Sequence, residues 1–176
     1  MIEVITGPMF AGKSTLLDKL ITASDTDDRP WVALRPAADT REPRFAWERS
    51  AVVIHNVAQL AEEISKEQGR IFIDEAQFFW PAIGEIAATA SRARTVSITI
   101  AGLNLDWRGR PWPAMAGLLC YADRVTVLSA TCWICGGVAT MTRRTGRLPS
   151  WLVLPGGSEL YQPACVRCWR SANKET

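Results

Sequence analysis

No apolar run in this 176-residue chain approaches the ~20 residues that span a bilayer, so no membrane-spanning helix is expected. No basic leader precedes an apolar stretch at the N-terminus, and without an export signal the expectation is a cytoplasmic protein whose five cysteines need not pair. An excess of charge of either sign is lacking as well. A net charge of +2 gives little long-range attraction for nucleic acid. Arginines gather in "TRRTGR" and near the C-terminus, where they read as solvated surface. No internal repeat is evident, and the single histidine, His55 in "VVIHNV", reads as a structural or surface residue.

What is present is ample apolar content, 48% of residues, in a chain of the length of one ordinary domain with a small appendage. Short β-branched runs recur: "IEVIT", "PWVAL", "AVVI", "RIFID", "TVSITIAG" and "RVTVL". Most lack alternation, which suits parallel strands covered on both faces. Between them "KSTLLDKLITAS", "VAQLAEEISKEQ" and "AIGEIAATASRA" space apolar residues three and four apart, as crossover helices do. The pattern predicts an α/β fold over residues 1–129. "RPAADTREPRFAWERS", rich in charge and interrupted by proline, reads as a long surface loop after the second strand. Past residue 130 helical period gives way to cysteine, glycine and arginine, which predicts a second module over 130–176.

"GPMFAGKST" fits G-x-x-x-x-G-K-[ST] through Gly7, Gly12, Lys13 and Ser14, and it lies between a predicted strand and a predicted helix. Glycines there let backbone N–H groups turn inward on phosphate oxygens, and the following helix adds its positive end. Lys13 supplies a mobile charge for the outer phosphates, and the Ser14 hydroxyl is placed for Mg²⁺. The acidic partner of such a loop is expected at the end of a parallel strand, and "IFIDEAQFF" provides Asp74 for the magnesium shell. Glu75 follows as a plausible base for an acceptor hydroxyl; in an ATPase it would orient water instead.

"CWIC" and "CVRC" place Cys132, Cys135, Cys165 and Cys168 as two C-x₂-C pairs with 29 residues between them. Two such knuckles suit a tetrahedral structural zinc with no position open for catalysis. A redox motif would need only one pair, beside a helix N-terminus. Cys120, in "AGLLCYAD", reads as a small buried apolar residue.

Taken in order, "GPMFAGKST", "DEAQFF", "GLNLDWRGRPW" and "CWICGGVATMTRR…GGSELYQPACVRCW" resemble the zinc-containing thymidine kinases over nearly the whole chain. The resemblance implies a RecA-like P-loop core with a parallel sheet flanked by helices, a small zinc-ribbon-like domain, and transfer of the γ-phosphate of ATP to the 5′-hydroxyl of thymidine or deoxyuridine. It implies Glu75 as catalytic base and Ser14 with Asp74 for Mg²⁺. Gly7, Pro8, Met9, Phe10, Ala11, Gly12, Lys13, Ser14 and Thr15 are implied at the phosphates, aided by Asp39 and Arg41 of the family's D-x-R. Met9, Phe78, Leu103, Trp107, Trp112, Thr142 and Tyr161 match nucleoside-lining positions. Residues 142–161 match a loop that covers the base, where Gly156 and Gly157 would let the backbone approach closely. A homotetramer inhibited by thymidine triphosphate is implied too. Trp107 and Trp112 stand where phenylalanine is common, and "ERSA" replaces the family's serine-histidine pair after the D-x-R.

The competing class is a nucleic-acid-dependent ATPase, because "DEAQ" is similar to a helicase acidic motif and zinc ribbons often accompany nucleic-acid binding. Helicase cores generally trap ATP between two such domains, and the length here suffices for one.

Overall fold

The computed structural model describes residues 1–26, 28–66, 69–93, 96–145 and 156–173. Six parallel strands form one sheet: β1 (Ile2–Thr6), β2 (Trp31–Pro36), β3 (Val52–Ile54), β4 (Arg70–Ile73), β5 (Ser97–Gly102) and β6 (Arg124–Val127). Their order across the sheet is β3-β2-β4-β5-β1-β6, so β5 separates the strand that leads into the glycine loop from the strand that ends in the acids. The helices joining them are α1 (Lys13–Ser24), α2 (Ala46–Ser50), α3 (Val57–Lys66), α4 (Ile83–Ala93) and α5 (Pro113–Tyr121).

The near-continuous apolar strands are explained by burial on both faces. Successive strand residues point to opposite sides, so Val4, Leu34, Ile71, Ile73, Ile98 and Ile100 enter one core, while Ile5, Ala33, Phe72 and Ala101 enter another. Leu60 and Ile64 of α3, Ile83 and Ala87 of α4, and Met115 and Leu118 of α5 close the first face. Leu17 and Ile21 of α1 close the second, together with Trp47 of α2.

Two elements correct the sequence reading. The segment after β2 is not loop throughout: it contains α2, and Trp47 is only 5% exposed. Two stacked aromatic rings, Phe45 and Trp47, order a segment whose other residues are mostly polar and conceal it. Helix α5 begins with Pro113 in its first turn, a favoured place for proline, and carries the exposed Cys120. That cysteine is therefore not a core residue; Met115 and Leu118 take the inward face, and position 120 turns away from it.

Beyond the sheet come two hairpins, β7 (Ala130–Thr131) with β8 (Val138–Ala139) and β9 (Met141–Arg144) with β10 (Tyr161–Ala164), then α6 (Val166–Asn173). This unit is tied to the core. The Thr142 hydroxyl accepts the Met9 N–H at 3.0 Å, and the Trp169 indole donates to the Trp107 carbonyl at 2.8 Å. No described helix is long and apolar enough to cross a membrane.

Candidate active site

At the end of β1 the chain turns through Gly7 at φ +141°, where a Cβ would meet the Leu128 carbonyl oxygen at 2.2 Å. Only glycine fits that approach. Phe10 and Gly12 are also left-handed, at φ 62° and 82°, and α1 starts at Lys13. A cavity opens here, walled by Met9, Phe10, Gly12, Lys13, Ser14 and Thr15 of the loop together with Arg41, Arg44, Glu75 and Leu103. Gly7, Pro8 and Ala11 belong to the loop but not to this wall. Lys13 is buried, and its Nζ donates to the Pro8 carbonyl at 2.6 Å. Burial lowers its pKa to about 8 against the pull of Glu75 and Asp74.

The carboxyl end of β4 delivers Asp74, 5% exposed, and then Glu75 in a left-handed conformation at φ 53°. Asp74 Oδ1 accepts the Glu75 N–H at 2.8 Å, and the nearby Ser14 hydroxyl favours the charged carboxylate. Burial, reinforced by the neighbouring Glu75 charge, pushes the Asp74 pKa up to about 7. Arg41 grips Asp39 with two bonds, Nε at 2.7 Å and a terminal nitrogen at 3.0 Å, and also pairs with Glu75. Partial burial opposes the Asp39 charge, yet the Arg41 guanidinium outweighs it and holds the carboxyl below its ordinary range.

A second, narrower cavity lies alongside. Met9, Phe78, Leu103, Trp107, Trp112, Thr142, Gly156 and Tyr161 all line it, so eight side chains or backbone positions from four separate stretches converge. Phe78 and Trp112 meet edge to face, with centroids 5.6 Å apart. Trp107 is flanked by two guanidiniums, Arg144 at 4.0 Å and Arg108 at 5.3 Å from its ring centroid. Arg144 is thus packed on the pocket wall and is not a solvated surface charge. Gly157 is not on the lining; its N–H donates to Glu159 at 2.7 Å. Of the expected covering loop 142–161, residues 146–155 lie outside the described residues, and β9 pairs with β10 at its base, Arg144 opposite Tyr161.

The two cavities share Met9, Arg41, Glu75 and Leu103. A hydroxyl held in the apolar cavity would therefore reach the phosphate cavity beside the Glu75 carboxylate. Phosphoryl transfer to a hydroxyl needs such a juxtaposition.

The four knuckle cysteines also converge: their sulfurs all lie within 4.8 Å of one another, a spacing that suits a structural metal site. Cys132 and Cys135 sit in the turn between β7 and β8, closed by the Gly136 N–H to the Cys132 carbonyl at 2.9 Å. Cys165 precedes α6 and Cys168 falls in its first turn, with Cys135 and Cys165 sulfurs 3.7 Å apart. Without a metal the charge is uneven across the cluster: backbone N–H contacts, that of Cys165 foremost, lower the Cys132 pKa to about 6, while the Cys165 side chain foremost pushes Cys168 up to about 12. His55 is exposed and donates its N–H to Gln59.

Three polar residues of the site were not anticipated. Gln77 is 3% exposed and lines the apolar cavity between Glu75 and Leu103. Asp106 organises the loop after β5 by accepting from Arg108 N–H, Arg108 Nε and Arg110 N–H at 2.8–2.9 Å. Its only sequence signal is a D-x-R-x-R pattern. Arg44 reaches the phosphate cavity from the segment read as loop.

A family model for thymidine kinase matches residues 1–169. The thymidine kinase of Coprothermobacter proteolyticus is 35% identical over 93% of this chain and 87% of its own length. That of Pyrobaculum aerophilum is 33% identical over 95% and 97%, and that of Thermococcus kodakarensis 34% identical over 93% and 91%.

Proposed function

The chain belongs to the thymidine kinase family, and from that premise we propose that it transfers the γ-phosphoryl group of ATP to the 5′-hydroxyl of thymidine, with deoxyuridine also accepted. The observation that carries the reading is the shared wall of the two cavities, with Glu75 at the seam. In this reading the N–H groups of residues 7–15 and the Lys13 ammonium hold the triphosphate, with its terminal phosphate toward the apolar cavity. Met9, Phe78, Leu103, Trp107, Trp112, Thr142, Gly156 and Tyr161 hold the nucleoside, whose flat polarisable ring suits aromatic walls. Glu75 takes the 5′-hydroxyl proton as the oxygen attacks phosphorus, and ADP departs. Arg41 fixes the Glu75 carboxylate from the side of Asp39.

Ser14 and Asp74 suit a magnesium ion, since a hydroxyl and a carboxylate lie near each other there; it would neutralise charge on the outer phosphates. Zinc is the metal whose chemistry matches four converging thiols, and its role would be to cross-link the two knuckles. Family membership also supports a cytoplasmic salvage role and a homotetramer inhibited by thymidine triphosphate. Val125 and Val127, exposed on the edge strand β6, fit a subunit contact.

The test is ADP formation from Mg-ATP with thymidine, deoxyuridine, deoxycytidine, deoxyadenosine, single-stranded DNA or no acceptor. Thymidine and deoxyuridine should be the best acceptors. Deoxycytidine reverses the donor and acceptor at the base edge and leaves polar groups unpaired, at ~1–3 kcal/mol each. ADP formation that depends on single-stranded DNA and not on nucleoside would replace this reading by the ATPase one.

A further inference from the structure

The phosphate cavity has a cation that the glycine loop does not account for. Arg44 lies on its wall, with one terminal nitrogen 3.2 Å from the Ser14 hydroxyl oxygen. Its position is built rather than incidental. The Arg44 and Phe45 N–H groups both donate to Glu48, which fixes the turn into α2. The guanidinium sits 5.7 Å from the Phe45 ring centroid, and Phe45 stacks on Trp47 at 6.2 Å and 7°. Trp47 in turn is 5% exposed in the core beneath α1. The cation is thus anchored through two aromatic rings while its side chain stays 53% exposed toward open space.

Its present partners leave donors over. Ser14 offers one oxygen, and Glu48 lies 3.8 Å away, beyond a direct bond, whereas a guanidinium carries five N–H donors. If Ser14 turns its oxygen to magnesium, Arg44 must give it up. Lys13 lines the same cavity and feels the Arg44 charge, a repulsion that a bound anion would relieve.

We propose that Arg44 binds the outermost phosphate of the nucleotide, in the cavity it shares with Lys13, and so touches the group being transferred. The proposal rests on the reading of this cavity as the ATP site. A fork of N–H donors suits phosphate oxygens, and charge spreading over the transferred group gives it a larger role in the transition state than in the ground state.

Nucleotide binding without nucleoside tests it, by titrating wild-type, Arg44→Ala and Arg44→Lys proteins with Mg-ATP and with Mg-ADP. Arg44→Ala should weaken ATP by ~10–100-fold and ADP by less than about threefold, because only ATP has the outermost phosphate. Arg44→Lys should fall between, as a point charge without the fork. Unchanged melting temperature and metal content would show that the variants are folded. Equal weakening of ATP and ADP would make Arg44 a loop-shaping residue and overturn the proposal, as would no weakening of either. Wild-type protein that binds neither nucleotide overturns both this proposal and the ATP reading. Normal ATP binding without thymidine phosphorylation overturns only the acceptor assignment.

Discussion

Gln77 donates its Nε2–H to the Glu75 carboxylate at 2.5 Å while its own carbonyl oxygen accepts the Leu103 N–H at 2.9 Å. One buried amide therefore links the proposed base to the wall of the apolar cavity. Gly102 makes room for it, since a Cβ there would lie 3.0 Å from the Gln77 oxygen. Removing the amide by Gln77→Leu should release Glu75 from one orienting bond and lower kcat by roughly 10–100-fold, with the KM for ATP little changed. Steady-state kinetics and a melting curve would check it; a variant that melts early and loses both substrates alike would mark Gln77 as packing only.

Glu75→Gln keeps size and hydrogen bonding but removes the proton acceptor. Turnover should drop by roughly 10²-fold or more while ATP affinity is retained. A Gln variant that turns over at near wild-type rate removes Glu75 from the base role.

Asp74 has a pKa raised to about 7 by burial and by Glu75, so it holds a proton over a range where an ordinary aspartate has lost it. Magnesium must expel that proton. Apparent affinity for Mg²⁺ in the presence of nucleotide should consequently fall as pH drops through 7 and level off above it. In the metal-free protein the sign is the reverse: between the unfolded value of 3.8 and about 7 the native state binds more protons, so this group's contribution to stability declines as pH rises. Asp74→Asn should abolish both slopes, read by magnesium titrations and by melting at a series of pH values.

Lys13 gives the opposite proton balance. Its pKa is lowered from 10.5 to about 8 by burial, and a bound triphosphate restores the charge. Metal-free ATP binding between pH 8 and 10 should therefore take up a proton, visible in calorimetry as a heat that depends on the buffer's ionisation enthalpy. Lys13→Met should bind more weakly and lose that dependence.

The four converging sulfurs should hold about one zinc per chain in gently purified protein. Cys135→Ser should lose the metal and loosen the hairpins and α6. The six-stranded sheet, whose cores do not include these residues, should still melt cooperatively. Metal analysis and circular dichroism decide this.

Trp107 is 9% exposed, with the Arg108 and Arg144 guanidiniums packed on its ring. Trp107→Phe should change the thymidine-to-deoxyuridine ratio of kcat/KM, by a factor within the ~1–3 kcal/mol that one methyl commands. Rejection of deoxycytidine should be affected less. A larger change in the deoxycytidine rate than in the thymidine-to-deoxyuridine ratio would place Trp107 at the base edge instead of near the 5-methyl group.

Local chemistry was enough to read much of this protein from its sequence. A glycine at φ +141°, a lysine and a serine opening a helix, acids ending a strand and two cysteine knuckles are short-range patterns, each set by what a few adjacent residues can do. The unalternating Val and Ile runs likewise declare burial on two faces, and the sheet obeys them except in β6, whose Val125 and Val127 stay exposed at its edge. Tertiary structure alone decided what lies opposite what. Arg41, Glu75 and Leu103 meet because β2, β4 and β5, which they follow, are neighbours in the sheet, a pairing that no local pattern encodes. Arg44, Gln77 and Arg144 read as ordinary polar residues along the chain, and their roles arise from contacts with Ser14, Glu75 and Trp107, which are 30, 2 and 37 positions away. Even Gln77, close in sequence, owes its place to the Leu103 N–H across the sheet. Charge, hydrogen bonding and stacking act over a few ångströms in space, so a site assembled from distant stretches becomes legible only once the core has folded them together.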